Sequence, residues 1–460
     1  MKSSKRSILS RVFKIPELRF DDCENQSLTS FSGLVTYQHL FQRLELKKRL
    51  ELCFISQDNS PIYSHHLMVL FLIVHLSLGY RRLRDIDYYK EDPMVKRTLG
   101  LNQLPDPSTT SRFLKQVDDD STDRLRELSK EIVLQRLEQL KLSRITLDFD
   151  GSVLSTSRHA QGTAVGFNKK KKGHRSYYPL FCTVAQTGQF LDIFHRPGNV
   201  HDSNGAIDFA GVMVDNIREI LPQAKLEARM DSAFFSEEQL DEWNDHSVEF
   251  TASVPFARFP ALKKIIESRK WWKRMDNDLS YFEQSWRPDT WNSDFRFIFI
   301  RRKRKQQQKG PLQLDLFAPL SYEFEYKVIV TNKKIGAKAI LKFHNGRGSQ
   351  EAIFAEAKSN TQLEYIPVKK LNGNKVYCLS AMLAHNLHRE MQMHTYVQEY
   401  GTTAKRRPLW AFQSLATFRK NILQRAGRLI RPKGKLTLVL GANKLVQNEI
   451  AEILRTGKTA

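Results

Sequence analysis

Cysteine is scarce. The chain has four in 460 residues, Cys23, Cys53, Cys182 and Cys378, scattered and without a CxxC pair. That excludes a disulfide scaffold and a cysteine-based zinc site, and it suits a reducing, cytosolic compartment. Long apolar runs are missing too. The best, Leu67–Leu78, is too short to span a bilayer and contains His75, so it reads as a buried helix and no membrane partner is expected. Met1–Lys14 is basic and polar with no apolar stretch, unlike a secretory signal. Acids are in deficit: 50 Asp and Glu stand against 73 Lys and Arg, a formal net charge of +23. Such a surplus favours a polyanionic partner, nucleic acid first. No internal repeat is evident. A hydrophobic share of 41% still supplies packed cores and excludes a disordered chain, and the length divides into about two to four domains.

The texture changes along the chain. Residues 1–140 read as a helical, DNA-binding region. Pro105-Asp-Pro-Ser-Thr-Thr-Ser-Arg-Phe-Leu114 follows a glycine-containing turn, with Ser108 as the expected N-cap. A candidate helix-turn-helix there would point Arg112 and Lys115 at a groove; an ordinary capped helix fits the same residues. From residue 141 to 255 the order is mixed α/β. Ile145–Asp150 alternates as a strand does, Tyr177–Gln186 and Phe190–His195 flank a Thr-Gly turn, and Lys225–Met230 and Val248–Val254 complete the set. Helices are expected over Asn204–Leu221 and Ser236–Asp245, the latter capped by Ser236. Residues 256–335 read as a β-rich insertion, from the strong strand patterns Phe295–Ile300 and Tyr322–Thr331. Helical texture returns over 336–400, and 401–460 is a basic C-terminal region containing Lys405-Arg-Arg407.

Phosphodiester chemistry needs an attacking oxygen deprotonated and a leaving oxygen stabilised, which two divalent cations about 3.5–4 Å apart accomplish together. Hard cations want carboxylate oxygens, and Mg²⁺ suits the task, with Mn²⁺ able to substitute. Asp150 ends one strand and precedes Gly151-Ser152; Asp231 ends another and precedes Ser232-Ala233. Small neighbours let phosphate and metal approach. Glu351 lies in His344-Asn-Gly-Arg-Gly-Ser-Gln-Glu-Ala-Ile-Phe-Ala-Glu-Ala-Lys358. Helical spacing puts Arg347, Glu351 and Lys358 on one face, a carboxylate between two phosphate-binding cations; a solvated face with ion pairs has the same spacing. Asp148 competes with Asp150, since residues two apart in a strand share a face. The Asp-Gly-Ser context favours Asp150, which leaves Asp148 to support it from behind.

Together, Asp-Gly-Ser after a strand, Arg-Met-Asp-Ser-Ala-Phe-Phe, and Arg-x3-Glu-x6-Lys resemble the DDE transposases of bacterial insertion sequences. The group is transposase DDE domain group 1, within a superfamily marked by Tyr-x2-Arg-x3-Glu-x6-Lys. The resemblance runs from about Leu147 to Lys358 and includes Gly173-His-Arg-Ser-Tyr-Tyr-Pro179 and Arg196-Pro-Gly-Asn199. It implies an α/β fold: an RNase H-like core carrying a β-rich insertion, preceded by a helical DNA-binding domain and followed by a helical C-terminal region. It implies that Asp150, Asp231 and Glu351 hold Mg²⁺ and catalyse cleavage and strand transfer by cut-and-paste, and that Arg347 and Lys358 grip phosphates. His344 stands in the tyrosine position, where an imidazole would donate to a phosphate in a pH-sensitive way. The implied partners are double-stranded DNA, as transposon ends and target, and a second copy of the chain, in a bacterial, nucleoid-associated setting. Rival readings are a nuclease of the same fold that cuts without joining, and a domesticated DNA-binding protein without catalysis.

Around this core, Lys169, Lys170, Lys171 and Lys172 with His174 and Arg175 form a basic patch suited to a DNA backbone. Trp286 and Trp291 are candidates to stack on a flipped base, and equally suit a β-domain core. Gln313-Leu-Asp-Leu-Phe317, between Pro311 and Pro319, resembles a sliding-clamp-binding pentapeptide.

Overall fold

The computed structural model describes residues 27–57, 62–168, 170–201, 204–303, 324–401, 404–441 and 443–456. Gln313–Phe317, Lys169 and Cys23 lie outside them.

A short strand β1 (Leu28–Thr29) opens a helical region: α1 (Leu34–Arg43), α2 (Leu46–Cys53), α3 (His65–Ser77), α4 (Pro93–Leu99), α5 (Pro107–Gln116) and α6 (Asp119–Leu140). Helix α3 is the expected apolar run, buried nearly all round. The N-cap position of α5 is held by Asp106, not Ser108, without a side-chain capping bond. Pro107 takes the first helical position, where its fixed φ fits and its missing N–H is not needed. Its Phe113 and Leu114 are buried, while Arg112 and Lys115 are exposed.

Next come β2 (Arg144–Gly151), β3 (Leu154–Thr156), β4 (Ala164–Val165), β5 (Arg175–Tyr177), β6 (Leu180–Val184), β7 (Gln189–Phe194), α7 (Ala206–Ile220), β8 (Lys225–Met230), α8 (Glu237–Asp245) and β9 (Glu249–Ser253). Ser236 caps α8, its hydroxyl accepting from the Gln239 amide. Residues 256–335 hold α9 (Pro260–Ser268), β10 (Lys273–Arg274), β11 (Leu279–Trp286), β12 (Phe295–Lys303) and β13 (Phe324–Thr331). These strands are continuous with the main sheet, because β13 pairs antiparallel with β9. One nine-stranded sheet results, in the order β10-β11-β12-β13-β9-β8-β2-β6-β7. At its centre β2 and β8 are parallel, as are β8 and β9, while β6 runs antiparallel to β2.

Then follow α10 (Ala337–Asn345), α11 (Gly348–Asn360), α12 (Leu371–Thr395), α13 (Leu415–Phe418), β14 (Gly427–Ile430), β15 (Thr437–Leu440) and α14 (Lys444–Thr456). The C-terminal region is thus not wholly helical. Two short apolar runs either side of Pro432-Lys433-Gly434 pair as a hairpin, and β1 adds a third strand. Helix α12 is buried on almost every side. It runs through the core that joins α1–α6 to the sheet, sharing one cluster with residues such as Leu70, Leu128 and Phe354. Among the described residues no helix is long and apolar enough to cross a membrane.

The alternation of β2 and β8 decides what each face of the sheet can be. Ile145, Leu147 and Phe149, with Leu226, Ala228 and Met230, point to one side and pack on Met213 and Ile217 of α7 and Leu240 and Trp243 of α8. Thr146, Asp148 and Asp150, with Glu227 and Arg229, point to the other, toward α10 and α11.

Candidate active site

Asp150 lies at the end of β2, where it pairs with Phe181 of β6. Asp231 follows the last residue of β8. The strand register sets Asp148 opposite Arg229, and Asp150 and Asp231 each come two residues further along their chain segments. Asp231 also caps the short turn after β8, accepting from the Ala233 amide at 2.8 Å. Helix α11 brings the third element. Arg347 is its N-cap, and its Nη1 lies 3.3 Å from Asp150 Oδ2. Glu351 is exposed in the first turn, where the positive end of the helix dipole favours a carboxylate. Gln350, its neighbour, points inward and donates to the Asp148 carbonyl at 2.8 Å, which fixes α11 on β2.

Lys358 sits two turns on. Its Nζ reaches the Val153 carbonyl at 3.5 Å, three residues past Asp150. Burial lowers its pKa, with Asp150 and Glu364 opposing and Lys170 reinforcing. Arg347 and Lys358 therefore flank the end of β2.

Behind the aspartates the face stays polar and becomes dry. Arg229 grips Asp148 with both arms, Nε to Oδ1 at 2.5 Å and Nη2 to Oδ2 at 2.6 Å, and neither side chain is exposed. Burial pushes the Asp148 carboxyl up, and the Arg229 guanidinium opposes that. Asp148 is thus a support and not an open ligand. One step further, Glu227 is enclosed by cations. Lys333 donates to its Oε1 at 2.6 Å and Arg144 to the same oxygen at 2.8 Å. Thr146 Oγ1 and Arg406 Nε donate to Oε2 at 2.9 and 3.0 Å. Burial works to raise Glu227, but Lys333 and Arg406 outweigh it and hold its pKa below the usual value.

Several sequence-predicted positions behave differently. His344 does not face solvent: it is 2% exposed, with Nδ1 3.1 Å from Thr251 Oγ1 and Nε2 2.9 Å from Ser253 Oγ. Burial drives its pKa well below the ordinary value, and Lys327, Arg347 and Arg229 add to the effect. A neutral ring pinned between two hydroxyls holds α10 on β9; this replaces the expected phosphate contact. Arg175 is likewise engaged, donating to Thr163 Oγ1 at 3.0 Å and to the Thr163 carbonyl, so it braces the small sheet β3-β5-β4. Lys170, Lys171 and Lys172 are exposed. Trp286 and Trp291 are partly buried against the core, Trp286 edge-on to Phe297 and Phe259, and Trp291 4.8 Å from Phe235. The ring left in solvent is Trp271, 84% exposed. It sits within Arg269-Lys-Trp-Trp-Lys-Arg274, beside Trp272, which packs on Phe282. Composition alone marked this cluster; only burial separates its members.

Do these residues suit a divalent cation? The donors are hard oxygens, as such a cation requires. Two of them end adjacent parallel strands, and the Arg347 guanidinium supplies positive charge to Asp150 from the open side. Among the described residues no three His, Cys, Asp or Glu side chains are already drawn together as a ligand set. The two aspartates fit the group, with Glu351 on the adjoining helix.

A mixed α/β chain with a large central sheet, acidic residues on neighbouring strand ends and an Arg-x3-Glu-x6-Lys helix across them defines an enzyme of phosphodiester chemistry. The chain belongs to the transposase DDE domain group 1 family, whose model matches residues 20–458, and it is a DDE-type nucleotidyl transferase. No curated protein matches it. Among solved structures it is similar to the piggyBac transposase in a synaptic complex with hairpin DNA, at 11% identity and a TM-score of 0.43, over 87% of this chain and 80% of that one.

Proposed function

We propose that the protein is the transposase of a bacterial insertion sequence, which binds the element's double-stranded ends, cleaves them and joins them to target DNA by cut-and-paste. The observation that supports this is the parallel register of β2 and β8, which sets Asp148 opposite Arg229 two residues before Asp150 and Asp231, with Arg347 against Asp150. The strand order β7-β6-β2-β8-β9, with its single antiparallel hairpin beside three parallel strands, supports an RNase H-like core, and β10–β13 would be its insertion. Asp150, Asp231 and Glu351 would hold Mg²⁺. That ion would make bound water acidic and stabilise the leaving oxygen. The chain's own part is to orient the scissile phosphate. Arg347 and Lys358 flank the aspartates and bind its oxygens, and Lys170–Lys172 hold the backbone nearby. Arg347 would exchange Asp150 for phosphate as the DNA arrives. Two ends must be handled together, so a homodimer on DNA is proposed, at the nucleoid in the bacterial cytoplasm. The clamp-like segment at residues 313–317 would tie the protein to replication.

The test is to incubate the purified chain and Asp231→Ala with labelled DNA carrying the flanking ends and Mg²⁺. End-specific cleavage followed by strand transfer, both lost in Asp231→Ala, is expected. Cleavage without joining would make the protein a nuclease, and binding without any metal-dependent chemistry would leave a DNA-binding protein.

A further inference from the structure

The C-terminal segment reaches back under the catalytic strands from far along the chain. After α12 the chain returns to the polar face of β2 and β8, and at residues 404–407 it touches two of the buried charges there, Glu227 and Arg229. The Lys405 carbonyl accepts from Arg229 Nη1 at 2.6 Å. The next residue, Arg406, donates through Nε to Glu227 Oε2 at 3.0 Å. Two consecutive residues thus engage positions 227 and 229, which precede Asp231 on the same face of β8.

Two independent features show how tightly this contact is specified. Arg406 has φ 49, the left-handed region, which is strained for a residue with a side chain. Such a conformation persists where surrounding contacts over-determine it. Here it lets the Lys405 carbonyl and the Arg406 guanidinium reach neighbouring targets. The second feature is Gly346, between α10 and Arg347. A Cβ built there would lie 2.1 Å from the Lys405 oxygen and 2.2 Å from Arg229 Nη1. The residue before Arg347 must be glycine for the segment to dock. Arg229 also donates to the Phe343 carbonyl at 3.2 Å, so it joins β2, β8, the end of α10 and the C-terminal segment at one point.

Resting on the functional reading above, we propose that Arg406 is a positioning residue for DNA cleavage: through Glu227 and Arg229 the segment 404–407 sets Asp231 and Arg347 relative to Asp150. Its guanidinium is directed at Glu227. Its effect is on how sharply the strand ends and the start of α11 are fixed, and a misplacement of about 1 Å at reacting groups costs about a hundredfold in rate.

The experiment uses the full chain with Arg406→Gln, Arg406→Lys and Gly346→Ala. Amide hydrogen exchange is read over residues 145–152 and 226–233, and end binding and single-turnover cleavage are measured on the same samples. Arg406→Gln should exchange faster at both strand ends. It should cleave about 10- to 100-fold more slowly at saturating DNA, with end affinity within about twofold of the parent chain. Arg406→Lys, which keeps the charge on Glu227, should recover part of the rate, and Gly346→Ala should mimic Arg406→Gln. Unchanged exchange or an unchanged cleavage rate in Arg406→Gln would overturn the proposal. So would collapse of folding, binding and cleavage together in both Arg406→Gln and Gly346→Ala, which would give the segment a merely structural role. If the parent chain itself fails to cleave, the functional reading falls, while the exchange data still decide whether the segment holds the strand ends.

Discussion

The two faces of β2 and β8 are made of alternating residues of the same strands and follow opposite rules. On one, Phe149 lies edge-on to Phe209 and 5.6 Å from Trp243, and stability comes from apolar area removed from water. On the other, Glu227, Arg229 and Asp148 are as fully buried but charged. Burying ions gains little in net stability, because desolvation offsets most of the attraction. What the second face provides is direction. Glu227 and Arg229 are each bound from several elements and Arg229 in turn holds Asp148, so the strand ends beyond them are held in one geometry. Packing makes the sheet stable, and the charged face aims it.

The largest expected effects separate these roles. Asp150→Asn should abolish cleavage, a loss of about a thousandfold or more if a metal ligand worth several kcal/mol is removed, while thermal unfolding stays close to that of the parent chain. Asp148→Asn should do the reverse in character. It leaves Arg229 buried without its counter-ion, a cost of about 3–5 kcal/mol, seen as a lower denaturation midpoint, with measurable cleavage at a temperature where the variant is folded. Phe149→Ala on the apolar face should cost a similar amount, about 3–5 kcal/mol, through an unfilled cavity. Full cleavage by Asp150→Asn, with none by a folded Asp148→Asn, would reverse the assignment of the two aspartates.

A smaller effect concerns acid. His75 in α3 and His385 in α12 are fully buried, and burial pushes both down to about 4. Above their ordinary pKa of about 6.5 each is neutral whether folded or not, and contributes nothing to the pH dependence. Below it the unfolded chain takes up a proton that the folded chain refuses. Stability therefore falls with pH, by about 1.4 kcal/mol per unit for each histidine, until the folded groups titrate. His385, whose Nε2 lies 3.0 Å from the Gly188 carbonyl, offers the cleaner test. His385→Gln should flatten the slope of unfolding free energy between pH 6.5 and 4 by about that amount. An unaltered slope would mean that His385 titrates alike in both states.

Much of this was legible in the sequence because it is local. Alternation marked β2 and β8, and their ends marked the two aspartates. The Arg-x3-Glu-x6-Lys spacing placed Arg347 and Lys358 at the right helix. What periodicity does not carry is which distant segment covers a given residue. His344 occupies a motif position that suggested contact with phosphate, but Thr251 and Ser253, more than ninety positions away, enclose it. Lys405-Arg-Arg407 reads only as part of a basic C-terminal region, yet Arg406 is spent on a buried glutamate in β8. Of the strands in residues 256–335, those at Phe295–Ile300 and Tyr322–Thr331 were visible and β10 and β11 were not, and their continuity with β9 depends on pairing across the chain.

The same limit governs the tryptophans. At the β10–β11 edge Trp271 stands in solvent among Arg269, Lys270, Lys273 and Arg274. Its loop is held by bonds from Arg269 Nε to the Trp271 carbonyl at 2.9 Å and from Trp272 Nε1 to the Arg269 carbonyl at 3.1 Å. An aromatic face flanked by cations is suited to an unpaired base and its phosphates. Trp286 and Trp291 pack on Phe297, Phe259 and Phe235 and would have to leave the core to stack. Trp271→Ala should therefore weaken binding of DNA ends by about 1–3 kcal/mol, some tenfold or more, without moving the denaturation midpoint. Trp286→Ala should lower the midpoint and leave affinity nearly unaltered at temperatures where it is folded. Titration of both variants with labelled ends, beside a melting curve, distinguishes them. If Trp286→Ala loses affinity and Trp271→Ala does not, the buried ring is the one that moves to meet DNA, and the edge of the sheet is not the contact its charge suggests.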